Sequence, residues 1–316
     1  MKEMQGIGKK RDGREVSVRG NSDVEAVITS FNQKKMIYDA VQSLCCQTMQ
    51  PKRIIIVDDG STDKESIQVL HEIEADNEWS VPILIIRQKN GGVSAARNAG
   101  ICKTEAPFVL VLDGDDSLEP DYVEEVCKLL YENPAMIAAS SWMRTFGVLN
   151  AVVRPSGGNV SDFLSHNCCP ATHIFRRGVW EQCGGYDETM RSGFEDWDFF
   201  LNMLETVPDG GIGIVEKPLI NYRTTPVSSN IRSMDKRLEL MRFIIEKHMS
   251  IYREHVADAV LGVEAISMAR LYGWESEILH SKLTNSSICE MSDQFLENPS
   301  YGDGGMAAAV RIASVQ

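Results

Sequence analysis

Four short apolar runs lie between residues 25 and 116: EAVITSF (25–31), RIIIVDDG (53–60), VPILIIRQ (81–88) and PFVLVLDGDD (107–116). They are too short and too rich in β-branched residues to read as helices, so each is expected to be a buried strand. Between them the apolar residues fall at helical spacing, as in KMIYDAVQSLCCQ (35–47) and GVSAARNAGICK (92–103), and a further helix is expected over 120–132. Strands alternating with helices require right-handed crossovers, and these give an α/β fold with a mainly parallel sheet covered on both faces. In such sheets the ligand crevice lies outside the carboxyl ends of the strands.

The residues at those ends are polar and acidic. The first strand ends in Thr29-Ser30-Phe31-Asn32, the second in Asp58-Asp59-Gly60-Ser61 and the fourth in Asp113-Gly114-Asp115-Asp116. Three such clusters on one rim define a candidate site. Carboxylates this close repel and raise one another's pKa, so a cation belongs among them. Asp113-Gly114-Asp115-Asp116 reads in three ways. It is a solvated turn, a calcium loop, or a carboxylate-x-carboxylate pair that holds a divalent ion together with phosphate oxygens. The calcium loop lacks its further acids and its preceding helix. Two carboxylates at alternate positions of an extended backbone fall on the same side, which suits the third reading. VDDGS (57–61) reads as a turn, or as a binder of a base or ribose through hydrogen bonds to its carboxylates. KNGGVSAARNAG (89–100) matches neither dinucleotide nor P-loop spacing, so its glycines turn the chain into a helix. Arg97 on that helix is placed to meet an anionic ligand or a strand-end Asp.

The rest of the chain bounds the function. Net charge is −13, which argues against a nucleic-acid partner. No apolar run approaches the ~20 residues of a membrane span, and the first residues lack the apolar core of a secretory signal. The expected location is cytoplasmic or peripheral at a membrane. The 8 cysteines show no zinc-ligand spacing and are expected to be reduced thiols. Beyond residue 133, strands are expected over 135–146 and 171–177, a loop over 154–170, and a helix over 193–207. Two short strands are expected over 211–223. Residues 235–286 have a helical pattern. The expected domains are a flexible arm (1–22), a catalytic α/β domain (23–232), a helical region (233–294) and a flexible tail (295–316). RLELMRFIIEKHM (237–249) carries an apolar stripe that must be covered by the main domain or by a second copy in a homo-oligomer.

VITSFNQ, RIIIVDDGSTD, NGGVSAARNAGI, FVLVLDGDDSLEP, GGYDE and FEDWDFFLNM occur in one order over residues 24–225. In that order and spacing they resemble family 2 glycosyltransferases with the GT-A nucleotide-diphospho-sugar transferase fold. The resemblance implies transfer of a sugar from a nucleotide-diphosphate donor, a UDP-sugar first among them, to an acceptor hydroxyl, with inversion and with Mn²⁺ or Mg²⁺. It implies that Asp113 and Asp115 hold the metal, with Asp116 sharing the site. Thr29, Asp58, Asp59 and Arg97 match nucleotide-holding positions, alongside their rim neighbours Ser30, Phe31, Asn32, Ser61 and Gly114. Asp196 matches the catalytic base, with Glu195 beside it as the alternative. The acceptor is a glycan, lipid-linked, peptide or small-molecule hydroxyl that the motifs do not specify.

One departure from the family pattern follows NYR (221–223), where many relatives carry a histidine that helps hold metal or diphosphate. Here TTPVSSN follows, which leaves Tyr222, Arg223 and Ser228 to cover the diphosphate. A competing expectation is a non-catalytic sugar-nucleotide or glycan-binding relative of the same fold. A sugar-1-phosphate nucleotidyltransferase would need a glycine-rich loop after the first strand, and TSFNQKK has none. His166 and His173 are expected to be structural; Trp142, Trp180 and Trp197 either stack on a sugar or fill the core.

Overall fold

The computed structural model describes residues 6–9, 15–18, 20–226, 229–284 and 295–315. The sheet is built first from β4 (Val24–Ser30), β6 (Ile54–Asp58), β7 (Ile83–Arg87) and β8 (Phe108–Asp113), all parallel in the order β7-β6-β4-β8. Every residue of β4 and β6 is buried, because both sheet faces are covered. Side chains alternate between two cores. Ala26, Ile28, Ile54, Ile56, Leu110 and Leu112 face one layer, while Val27, Ile55, Val57, Val109 and Val111 face the other.

The first layer is supplied by α1 (Met36–Cys45), α2 (Lys64–Ala75) and α4 (Tyr122–Glu132). The second is supplied by α3 (Val93–Ile101), α6 (Arg177–Cys183) and α7 (Glu195–Thr206). Helix α3 lies so close to the sheet that a Cβ on Gly100 would come within 2.4 Å of Val27. That approach brings Arg97 up to the strand ends.

Past β8 the sheet becomes mixed. Strand β12 (His173–Arg176) runs antiparallel between β8 and β10 (Met136–Gly147). Strand β13 (Gly211–Thr224) is parallel to β10, and β9 (Ser117–Leu118) and β11 (Val152–Val153) add short antiparallel pairings. The two strands expected over 211–223 are thus one, with its register shifted opposite Trp142, where Pro218 cannot donate to the ladder. A short helix, α5 (Val160–Phe163), interrupts the 154–170 loop.

Both chain ends depart from expectation. Residues 1–22 read as a flexible arm, but β1 (Gly6–Lys9) pairs antiparallel with β2 (Glu15–Val18), and β3 (Gly20–Asn21) pairs with β5 (Met49–Gln50). Residues 295–316 read as a flexible tail, yet Gly305–Ala313 forms a helix, α12. Its Met306, Ala307, Ala309 and Val310 are buried, and Ala309 and Val310 pack on Leu149 and Ala151. Small side chains let that helix approach closely, and burial of its apolar face fixes it.

The helical region comprises α8 (Ser229–Asp235), α9 (Arg237–Lys247), α10 (Met249–Glu254) and α11 (Val256–Thr284). Leu240 and Ile244 of α9 enter the second core, so much of the predicted apolar stripe is covered within the chain. A buried ionic network adds to this. Lys247 and His248 both donate to Asp198 of α7, at 2.8 and 3.0 Å, and Lys247 also reaches Asp187 at 2.7 Å. By contrast α11 leaves Val260, Leu261, Tyr272 and Trp274 exposed. No helix among the described residues is long and apolar enough to cross a membrane.

Candidate active site

The parallel register sets the site. Thr29 lies opposite Asp113 and Ser30 opposite Asp58, so the three polar strand ends stand side by side. The Thr29 hydroxyl donates to Asp113 Oδ1 at 3.0 Å. Gly114 N–H donates to Thr29 O, and a Cβ on Gly114 would lie 2.7 Å from that oxygen, so only glycine fits between the two loops.

Several predicted ligand groups already serve the loops themselves. Asn32, in a left-handed conformation, donates its N–H to Ser61 Oγ and accepts from Thr62 N–H at 2.8 Å. Ser61 N–H donates to Asp58 Oδ1 at 3.0 Å. Asp59 accepts from Gly91 N–H, Gly92 N–H and the Gln88 amide, each at 2.8 Å. Asp59 therefore clamps the glycine turn that launches α3. Ser30 is buried and Phe31 is exposed on the rim.

Arg97, buried on α3, is the hub. It donates to Asp113 Oδ1 at 3.0 Å and to Glu195 Oε1 at 3.2 Å, and its guanidinium lies 5.3 Å from the Tyr186 ring centre. Burial opposes its charge, but Asp113 above all, then Tyr186 and Glu195, hold its pKa above the ordinary arginine value. Burial, then Asp113, pushes the Asp115 carboxyl up to about 6. Burial, then Asp115 and Asp113, raises Asp116 well above the carboxylate range, although it accepts from Arg223 N–H at 2.8 Å. Among the described residues no group of three or more His, Cys, Asp or Glu side chains converges as a ready metal cage.

On the opposite wall, α7 begins with Glu195 and Asp196, where a helix N-terminus favours negative charge. Phe194, just before them, has φ +66°, a strained conformation for a bulky residue worth about 1–3 kcal/mol. The Arg237 guanidinium, 5.6 Å from the Phe194 ring centre, packs against it. Asp196 Oδ1 accepts from Trp197 N–H at 2.9 Å and Oδ2 from the Asn167 amide at 3.0 Å. Burial, then the neighbouring Glu195, pushes the Asp196 carboxyl up to about 7. A carboxylate with that affinity is suited to take a proton near neutral pH.

Between these walls lies a cavity of about 170 Å³, lined by Arg97, Asp113, Asp116, Glu195 and Asp196 among others. Asp115 does not line it. The other side of the cavity is formed by residues that no motif marks: Asn167 from the 154–170 loop, Asn230, Ser233 and Met234 of α8, and Tyr301, Gly302, Met306 and Ala307 of the tail. The spacing of Met306, Ala307, Ala309 and Val310 was a signal for the tail helix; nothing local marked Asn167.

Ser228 lies outside the described residues, while Tyr222 lines the cavity. His173 is buried among Phe175, Phe199 and Phe200. Trp197 is core, donating to Phe163 O at 2.7 Å; Trp180 donates to Asn98 and Trp142 packs against Arg154. The seven described cysteines are free thiols.

A mixed sheet of this topology, with an acid-lined cavity at its strand ends, defines a GT-A transferase. The sequence model of glycosyl transferase family 2 matches residues 25–184, half of the chain, and the chain belongs to that family. It is 24% identical over 237 residues to the uncharacterized glycosyltransferase YwdF of Bacillus subtilis, covering 71% of this chain and 84% of that one. It is 27% identical over 187 residues to the chondroitin synthase of Pasteurella multocida, covering 58% of this chain but only 19% of that enzyme. Among solved structures, S. aureus TarS 1-349 has a TM-score of 0.54 at 18% identity, over 79% of this chain and 74% of that one. TarS 1-349 has also been solved with UDP-GlcNAc. The family match ends before Glu195 and Asp196, so the role of those two rests on the geometry described above.

Proposed function

We propose that this glycosyltransferase moves a sugar from a nucleotide-diphosphate donor, a UDP-sugar by analogy with the TarS complex, to an acceptor hydroxyl with inversion. The observation that carries this reading is Asp196. Burial, then Glu195, raises its carboxyl to about 7, and it stands on the wall of the same cavity that Asp113 and Arg97 line. Asp196 takes the proton from the acceptor hydroxyl as that oxygen attacks the anomeric carbon. The bond from that carbon to the diphosphate oxygen breaks, and the leaving oxygen keeps the electron pair. One base is enough for a single displacement, which inverts the anomeric centre.

The residues present fit a divalent cation. Asp113 and Asp115 offer hard carboxylate oxygens, and Asp115, raised by burial and then by the Asp113 charge, is a group whose ionised form a bound cation would favour. Two protein carboxylates, with phosphate and water oxygens, are the usual Mg²⁺ or Mn²⁺ set. When bound, that ion neutralises charge developing on the departing diphosphate. Asp116 stays close to Arg223 N–H and shapes the loop. Thr29 and Arg97 orient Asp113, and Asp59 holds the turn that carries Arg97.

Calorimetric titration of UDP tests the cation and nucleotide claims together. Affinity should rise at least ~tenfold with Mn²⁺ over EDTA, a difference of about 1.4 kcal/mol. Equal affinity in both buffers would remove the metal, and no binding in either would remove the donor.

A further inference from the structure

We propose that Asn167 is the positioning residue for the Asp196 carboxylate, and that the tail turn Tyr301–Gly302 holds Asn167 in place. The inference deepens the reading of Asp196 as base and rests on it.

The Asn167 side chain has one orientation that satisfies its neighbours. Its Oδ1 accepts from Cys169 N–H at 3.1 Å, so the Nδ2 end must face Asp196 Oδ2, to which it donates at 3.0 Å. With Trp197 N–H on the other oxygen, the carboxylate is held from both sides and cannot rotate freely. Asn167 is itself buried, which makes each of these bonds costly to lose.

The backbone of Asn167 rests on the tail. Gly302 sits at φ +76°, and a Cβ there would lie 1.9 Å from Asn167 O and 3.1 Å from Asn167 N. The two segments are therefore in direct backbone contact. Tyr301 hydroxyl donates to Cys169 O at 3.0 Å, gripping the same loop two residues on. The turn is anchored in its own right. Arg237 donates to Gly302 O at 3.0 Å while it packs on Phe194, and Arg270 donates to Asp303 O at 2.9 Å. Gly305 N–H closes the turn on Asp303 Oδ1 at 2.9 Å. A segment more than 100 residues beyond Asp196 thus sets the geometry of that carboxylate through one amide.

The full-length chain, labelled with ¹⁵N, tests this without a substrate. The Asn167 side-chain amide, assigned by its loss in Asn167→Ala, should shift when Asp196→Asn removes the charged acceptor. Gly302→Ala should shift it too, because the added Cβ displaces Asn167. Val310→Ala, in the same tail but packed on Leu149 and Ala151, should lower the melting temperature and leave the resonance in place. An amide unmoved by Asp196→Asn would overturn the bond. Equal shifts from Val310→Ala and Gly302→Ala would overturn the clamp.

Turnover gives the second arm, read as UDP release from UDP-N-acetylglucosamine with Mn²⁺. Asn167→Asp keeps the side-chain shape and turns the donor into an acceptor. It should lower kcat ~10- to 100-fold with KM nearly unchanged, as a misplaced catalytic group does. Full activity in Asn167→Asp would reduce Asn167 to packing. Full activity in Asp196→Asn would instead sink the base, leaving the amide result to stand or fall by itself.

Discussion

The two walls of the cavity are made in different ways. The strand-end wall comes from residues 29–116, where Thr29, Asp58 and Asp113 sit at or next to the last positions of their strands and Arg97 is brought up to them on α3. The facing wall gathers Asn167, the start of α7, α8 and the tail turn from segments spread over more than 130 residues. Parallel pairing places the first wall automatically, since neighbouring strands end at one edge. The second wall exists only after the C-terminal helices have packed. The strand-end geometry is therefore built into the sheet, while the geometry of the facing wall depends on tertiary contacts that single substitutions far away can disturb.

The largest expected effect falls on Asp196, the proposed base. Asp196→Asn should slow sugar transfer at least ~100-fold, the low end for a positioned general base, with UDP affinity nearly unchanged. If the acid served only the helix terminus, the variant would stay active and lose about 0.3–1 kcal/mol of stability. Kinetics and a melting curve separate the two, and normal turnover would reopen Glu195 as the base. Next comes the tail. Ending the chain before residue 295 removes Tyr301, Gly302, Met306 and Ala307 from the cavity and uncovers Leu149 and Ala151. Turnover should fall at least ~tenfold while UDP affinity holds. Loss of UDP affinity to the same degree would show that the two walls are not separable.

The same division decides what could be read from the sequence. VITSF, RIIIVDD and FVLVLDGDD announce buried strands and the groups at their ends, because strand periodicity and loop chemistry are both local. A sequence says least where the functional group is a neighbour rather than a motif. Asp59 reads as a ligand from its sequence, and only the folded turn reveals that its carboxylate also accepts from Gly91 and Gly92 N–H. Asn167 has no local signature at all; it matters because Asp196 and Gly302 arrive beside it. The tail misled because Gly and Ala suggest fraying, whereas on this surface their small size permits close packing.

On the strand-end wall, stability should move opposite to function. Asp115 has a carboxyl raised to about 6 by burial and Asp113, against an unfolded value near 3.8. A raised carboxyl is a liability above its unfolded pKa: the folded state loses stability as pH climbs from about 4 to 6 and stays low beyond. Asp115→Asn should therefore stabilise the metal-free protein at pH 7, by at most about 3 kcal/mol. The gain should vanish below pH 4, and Mn²⁺ should raise the melting temperature of the parent but not of the variant. Urea unfolding at pH 4 and 7 measures it. Destabilisation at pH 7 would mean that Asp115 is already paired and that the acid wall carries no excess charge.

The facing wall carries the opposite sign. It hangs on α9 and α10, and these are tied to α7 by His248, which shares its ring nitrogens between Asp198 Oδ1 and Glu205 Oε2 at 3.0 Å each. Burial works against the imidazolium, but hydrogen bonds to Asp198 and Glu205 outweigh it and raise the pKa above the ordinary histidine value. A raised histidine gives its full stabilisation below its unfolded pKa of about 6.5 and loses it as pH rises through the folded value. His248→Gln should thus cost about 1.5 kcal/mol at pH 6, the scale of a hydrogen bond to a charged group, and less at pH 9. Melting curves of parent and variant across that range read the difference directly. A gap that stays constant would mean a neutral His248, held in place by hydrogen bonds alone. A gap that shrinks would show the facing wall loosening at alkaline pH as His248 loses its proton.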